Sequence, residues 1–274
     1  MEKFPISIFL FLFSTYSFAL VGGMKVNEQD PLSKSVVALQ MVEKDSIGKK
    51  INRYKGSGVL VGKDVILTAG HNFFYIPDVS LCEAIFSIEP KWGEESNGQT
   101  RISVKRVEIF PGFTQTSSGT FNDLALVFLS RPVPSDYAPL QMELEGNEPP
   151  EIGENGVLLG FGRSQNLQNQ PLSDFQLRKL ELPFNRWDFV SIFDSQKIWF
   201  SNTIGSITGG DSGGPVLFKR NGLYRIYGIG IHLRYDGCVE NGTCEGQSAY
   251  TNLTYFSKWI KNTLFKEAKS KESL

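Results

Sequence analysis

Short apolar β-type runs follow one another along this chain, and no other feature restricts its fold as much. They cover Ser35–Val42, Gly58–Leu67, Ser103–Ile109, Leu124–Leu129, Gly156–Gly160, Gln176–Leu182, Pro215–Phe218 and Leu223–Ile231, with Gly, Asn and Pro between them. Short strands at this spacing argue for an all-β sandwich or barrels. The end of the chain differs: Phe256, Trp259, Ile260 and Leu264 recur at helical spacing and mark one face of a C-terminal helix. The stretch from Ser130-Arg131-Pro132-Val133-Pro134 to Pro149-Pro150 has the composition of a connector. It divides the chain into halves of about 20–130 and 151–254, with the connector at about 131–150 and a helix and tail at 255–274.

Residues 1–19 read as an export leader. Lys3 precedes the apolar core Ile6–Phe13, and Ser17-Phe18-Ala19 places small residues where a signal peptidase needs them. That core is far short of the ~20 apolar residues of a membrane-spanning helix, and no later stretch qualifies. The expectation is a secreted or periplasmic protein, one domain from Leu20 to Leu274, monomeric and off the membrane once the leader is removed. Lys and Arg number 28 against 29 Asp and Glu, a net charge of −1. Such a balance gives no electrostatic reason to expect nucleic acid or an anionic membrane as partner.

The chemistry concentrates in three segments. Ser212 lies in Gly209-Gly210-Asp211-Ser212-Gly213-Gly214-Pro215. Glycines there permit positive φ and let backbone amides converge on one point, as an oxyanion hole requires. Ser212 is the candidate nucleophile, with the Gly210 and Ser212 amides as candidate oxyanion donors. A serine hydroxyl needs an adjacent base, and the chain has only two histidines. One, His71, ends the apolar run Asp64–His71 at the mouth of a strand, where a neutral imidazole can take and return a proton. Asp123 opens the run Leu124–Leu129, where a carboxylate is costly to bury without a partner. It is the candidate that orients the imidazole.

The order His, Asp, Ser, within Thr68-Ala69-Gly70-His71, Asn122-Asp123-Leu124-Ala125-Leu126 and Gly210–Pro215, resembles the trypsin/chymotrypsin family of serine endopeptidases. Subtilisin-like and α/β-hydrolase enzymes place the same groups in other orders. The likeness runs from Leu20 to about Leu264 and includes Gly56–Val61, Gly160-Phe161-Gly162 and Tyr250-Thr251-Asn252. It implies two six-stranded antiparallel β-barrels with the active site between them, hydrolysis of protein or peptide substrates, and no cofactor or metal. It also implies that the mature chain starts at Leu20-Val21-Gly22-Gly23 and that the new ammonium pairs with Asp211. Signal peptidase itself would then make the activating terminus. The rival class is a catalytically silent binding module on the same fold.

The residue six before the nucleophile is Ser206, where trypsin-like members carry an aspartate, which argues against cleavage after Lys or Arg. Either Ser206, Ile207 and Ser248 line an uncharged pocket for apolar or small side chains, or His232 lines it and meets an acidic one, as in similar glutamyl endopeptidases. A strand slip of one or two residues displaces His232 and decides between these. The family often supports its aspartate with a serine where this chain offers Ile231 or Leu233. The family's usual cysteine bridge beside the histidine is absent, since Asn72 and Gly56 stand there. Cys238 and Cys244 flank an Asn-Gly turn and are expected to form a small hairpin disulfide, leaving Cys82 as a buried thiol or as one end of an intermolecular bridge. So few bridges look more like a bacterial member than an animal one.

Overall fold

The computed structural model describes residues 18–20, 23–45, 47–93, 98–117, 119–165, 171–172, 174–190, 195–202, 205–238 and 244–272. In the first half, six strands close into an antiparallel barrel: β1 (Val36–Lys44), β2 (Lys50–Leu60), β3 (Val65–Thr68), β4 (Glu83–Phe86), β5 (Thr100–Ile109) and β6 (Ala125–Leu129). Their order around the ring is β6-β3-β2-β1-β4-β5. Alternate residues of β1, Val37, Leu39 and Met41, fill the barrel together with Leu60, Ile66, Ile102 and Val127. The intervening Val36 and Ala38 belong to a second cluster with Leu126, Phe128, Val157, Leu159 and Ile229, which glues the two halves together. Strands buried on both faces lose the usual alternation and read as continuous apolar runs. That is why Gly58–Leu67, expected as one strand, is in fact the end of β2 and most of β3, joined by a turn at 61–64.

The second half contains β7 (Asn155–Gly160), β8 (Arg178–Pro183), β9 (Arg186–Val190), β10 (Ser195–Asn202), β11 (Pro215–Arg220), β12 (Leu223–Cys238) and β13 (Cys244–Asn252). They lie in the order β9-β10-β13-β12-β11-β7-β8. The sheet recruits two outside pieces, Met24–Lys25 against Arg178–Lys179 of β8 and Gln141–Met142 in parallel with β12. Among the described residues this sheet therefore counts nine strands, two of them short recruits from outside the second half, and with the closed first barrel it agrees with the two-barrel fold expected. It also shifts a boundary: residues 24–25 belong to the second half, although everything from 20 to 130 was assigned to the first. Helix α1 (Ser257–Glu272) follows, with Phe256 and Ile260 buried and Trp259 and Leu264 packed against the shared core. Phe110, just past β5, meets Phe256 and Trp259 edge-on at 4.9 and 5.5 Å, so the C-terminal segment leans back on the first barrel.

Candidate active site

His71 rides on a single 3-10 turn, Gly70–Asn72, that follows the end of β3. Asp123 arrives from the loop before β6. Its predecessor Asn122 has a φ of +53°, a left-handed conformation that asparagine tolerates better than most residues. The Asn122 amide reaches the Gly112 carbonyl at 3.1 Å and fixes this corner. The Asp123 carboxylate is fully buried. One oxygen accepts the His71 backbone N–H at 2.8 Å, and the other lies 2.6 Å from His71 Nδ1. An ionised carboxylate only accepts, so Nδ1 carries the proton and Nε2 keeps its lone pair. The His71 main chain thus supports the carboxylate as well as its ring. Thr251 adds a bond of 3.0 Å from its hydroxyl to the Asp123 carbonyl.

The nucleophile loop is tied to the first barrel by its backbone. The Ser212 carbonyl accepts from Ser57 N–H at 2.9 Å and from Asn72 Nδ2 at 3.0 Å. The residue directly after His71 thus holds the main chain of Ser212. Asn72 also bonds the Thr68 hydroxyl at 3.1 Å, and a Cβ at Gly56 would lie 2.9 Å from its Nδ2. Where the family places a disulfide, this chain uses an asparagine amide that also grips the loop. Gly213, at φ +90°, presses so closely that a Cβ would sit 2.1 Å from both the Ser57 carbonyl and the Thr68 hydroxyl. Ser57 further donates its hydroxyl to the Gly210 carbonyl at 2.8 Å and accepts from Phe161 N–H at 2.9 Å. Gly210 has a φ of +105°. Among the described residues, neither the Gly210 nor the Ser212 N–H donates to another group, so both remain available for an oxyanion. Ser212 is half-buried and His71 a quarter exposed, which leaves the crevice open to a substrate.

Asp211 points away from this crevice into the second half. Its oxygens accept from Gly162 N–H and Thr208 N–H, each at 2.7 Å, with the Thr208 hydroxyl 3.1 Å from the second. Burial pushes its carboxyl up to about 6, against the pull of those hydrogen bonds. Leu20 is fully buried in the cluster of Leu158, Ile207, Val216 and Tyr250. Phe18–Ala19 is paired with Ser164–Gln165. The chain is continuous through this point, so the nitrogen of Leu20 is an amide here and no ammonium faces Asp211.

Ser206, Ile207 and Ser248 are all buried, and Ser248 Oγ accepts the Ile207 N–H at 3.1 Å. Among the described residues, the buried Ser206 hydroxyl has no hydrogen-bond partner. Between Gly230 and His232 the ladder to β13 shifts register, with Gly230 opposite Tyr250 and His232 opposite Ala249. The side chain of His232 lies outside the described residues. The Cys238 and Cys244 backbones are directly opposite in the β12–β13 hairpin, while their side chains, and so the expected disulfide, also lie outside them. Cys82 is a free, buried thiol whose sulfur accepts the Val42 N–H at 3.5 Å. Residues 1–17, and with them most of the leader, are likewise outside the described chain. No described helix is long and apolar enough to cross a membrane. The sequence assigned no role to Asn72, Ser57 or Arg178, although Asn72 stood in a bridging cysteine's place and Ser57 within the family-like segment Gly56–Val61.

The trypsin family model matches residues 28–260. Kallikrein 1-related peptidase b16 of Mus musculus is 27% identical over 281 residues, covering 95% of this chain and 99% of that protein. Trypsin eta of Drosophila melanogaster is 27% identical over 186 residues, 61% of this chain and 63% of its own. Phenoloxidase-activating factor 3 of Holotrichia diomphalia is 26% identical over 174 residues, 60% of this chain and 48% of its own.

Proposed function

Because the chain belongs to the trypsin family of serine peptidases, we propose that it is an exported endopeptidase that cleaves peptide bonds through an acyl-enzyme. His71 Nε2 takes the Ser212 proton as the hydroxyl attacks the scissile carbonyl. The oxyanion forms against the Gly210 and Ser212 amides. Asp123 holds the imidazolium, which then protonates the leaving amine, and water releases the acyl group by the same route in reverse. The observation that carries this reading is the pair of His71–Asp123 bonds joined through Asn72 to the Ser212 carbonyl.

Activation follows from the leader. Removal of residues 1–19 by signal peptidase frees the Leu20 ammonium beside the buried Asp211 carboxylate. A buried charge left without its partner costs about 3–5 kcal/mol, which the new terminus relieves. An uncharged pocket at Ser206, Ile207 and Ser248, in which the Ser206 hydroxyl is unpaired, suits apolar or small side chains and leaves Lys and Arg without a counter-charge. His232 would extend the range to acidic side chains.

A fluorophosphonate probe on the form starting at Leu20, followed by mapping of cut sites in a denatured protein, tests this. Labelling of Ser212 and cuts after uncharged or acidic residues are expected. An unlabelled Ser212 in folded protein would leave the silent binding module as the better reading, and cuts after Lys or Arg would overturn the pocket.

A further inference from the structure

Asp211 is a buried carboxylate whose described hydrogen-bond donors, the Gly162 and Thr208 amides and the Thr208 hydroxyl, are all neutral. Burying a carboxylate is expensive unless positive charge faces it. While Ala19 is still joined to Leu20, the amino terminus supplies none.

The neighbouring strand does. Gly160 of β7 is directly opposite Arg178 of β8. Directly opposed residues on an antiparallel ladder send their side chains to the same face, with Cβ atoms about 4.5–5.5 Å apart. The side-chain space of Gly160 is occupied by Asp211: a Cβ there would lie 2.3 Å from Oδ1 and 3.0 Å from Cγ. Arg178 therefore leaves the sheet on the face where that carboxylate lies. Its side chain is fully buried, a rare location for an arginine without a charge to answer. It pairs with Asp174, which also meets Lys25 at 3.8 Å, so Asp174 is shared between two cations, and the guanidinium charge also acts on Asp211. The Arg178 charge opposes the rise that burial imposes on the Asp211 carboxyl.

We propose that Arg178 is a positioning residue, a built-in cation that holds Asp211, and with it the 208–214 loop, before a free amino terminus exists. This rests on the peptidase reading above and adds that the uncut chain already has a formed oxyanion loop. In the uncut chain the loop bonds are in place: Asp211 N–H to the Thr208 carbonyl at 3.0 Å, Gly214 N–H to the Asp211 carbonyl at 2.8 Å, and Arg163 N–H to the Gly209 carbonyl at 3.0 Å. Once the Leu20 ammonium arrives, Arg178 becomes partly redundant.

The test compares a form that begins at Phe18 with one that begins at Leu20, each as wild type, Arg178→Gln and Arg178→Lys. Hydrolysis of a peptide ester and the melting temperature are measured for all six. Arg178→Gln is expected to lower kcat/KM about tenfold in the Phe18 form and severalfold less in the Leu20 form. Its melting temperature should likewise fall further in the Phe18 form, and Arg178→Lys should restore most of both. Equal losses in the two forms, or none in either, would overturn the proposal. Wild-type protein that cleaves nothing would sink the peptidase reading instead, and the melting temperatures would still decide the role of Arg178.

Discussion

The two halves of this molecule hold their candidate catalytic groups by different means. The first is a closed barrel, and its contribution is self-contained: Asp123 and His71 satisfy each other through two hydrogen bonds, and no further group need arrive. The second is a longer sheet, and the loop that it presents hangs on Asp211, a carboxylate that burial holds near 6 while the chain is uncut. One side of the crevice rests on short-range hydrogen bonds, the other on a buried carboxylate whose charge balance the proposed removal of the leader would alter.

Breaking the self-contained side has the largest expected effect. Asp123→Asn keeps the shape but offers His71 an amide that can donate, so the imidazole loses its enforced tautomer. By analogy with the same change in another serine protease, kcat should fall on the order of 10⁴-fold, with little change in melting temperature. Steady-state kinetics on a peptide ester checks it. A loss below tenfold would mean that Asp123 does not orient the base.

The link between the halves comes next. Asn72→Ala removes the bonds to Thr68 Oγ1 and to the Ser212 carbonyl. Side-chain bonds of this kind contribute about 1 kcal/mol each, so a fall in kcat of about tenfold with KM nearly constant is expected. An equal rise in KM would point to a disturbed pocket instead of a displaced nucleophile.

The smallest effect sharpens the charge side. In the Phe18 form the folded Asp211 binds its proton more tightly than the unfolded chain, since burial raises it from 3.8 to about 6. A group raised on folding contributes stability that is complete below its unfolded value and lost as pH rises through its folded one. The melting temperature of the Phe18 form should therefore fall, relative to the Leu20 form, between about pH 4 and about pH 6. Calorimetry on both forms reads this difference, and parallel curves would mean that the new ammonium does not reach Asp211.

Asn252-Leu253-Thr254 fits the acceptor pattern for N-glycosylation, yet the Asn252 side chain caps the turn Leu253–Phe256, bonds Gln196 at 2.6 Å and is nearly buried, which disfavours a glycan in the folded chain.

How much of this was readable along the chain depends on where each residue finds its partners. The apolar runs, the glycine loop around Ser212 and the helical spacing of Phe256 to Leu264 express local requirements: strand burial, positive φ, one packed face. They are written where they act, and so the all-β class and the C-terminal helix could be read in order, along with the three segments that carry the candidate catalytic residues. The strand Ser195–Asn202 could not, because Lys197 and its neighbours look polar, yet Lys197 is buried against the Phe121 ring at 4.4 Å. Nor could the crossing of Met24–Lys25 to the second half, the grip of Asn72 on Ser212, or the place of Arg178 opposite Gly160. The first two depend on partners more than 100 residues away and the third on the pairing of two strands, and a one-residue change of register would have sent these side chains elsewhere. The amino-acid order by itself therefore determined which groups could react. Only folding decided which charges face each other, because electrostatic and hydrogen-bond energies depend on distances that tertiary packing sets.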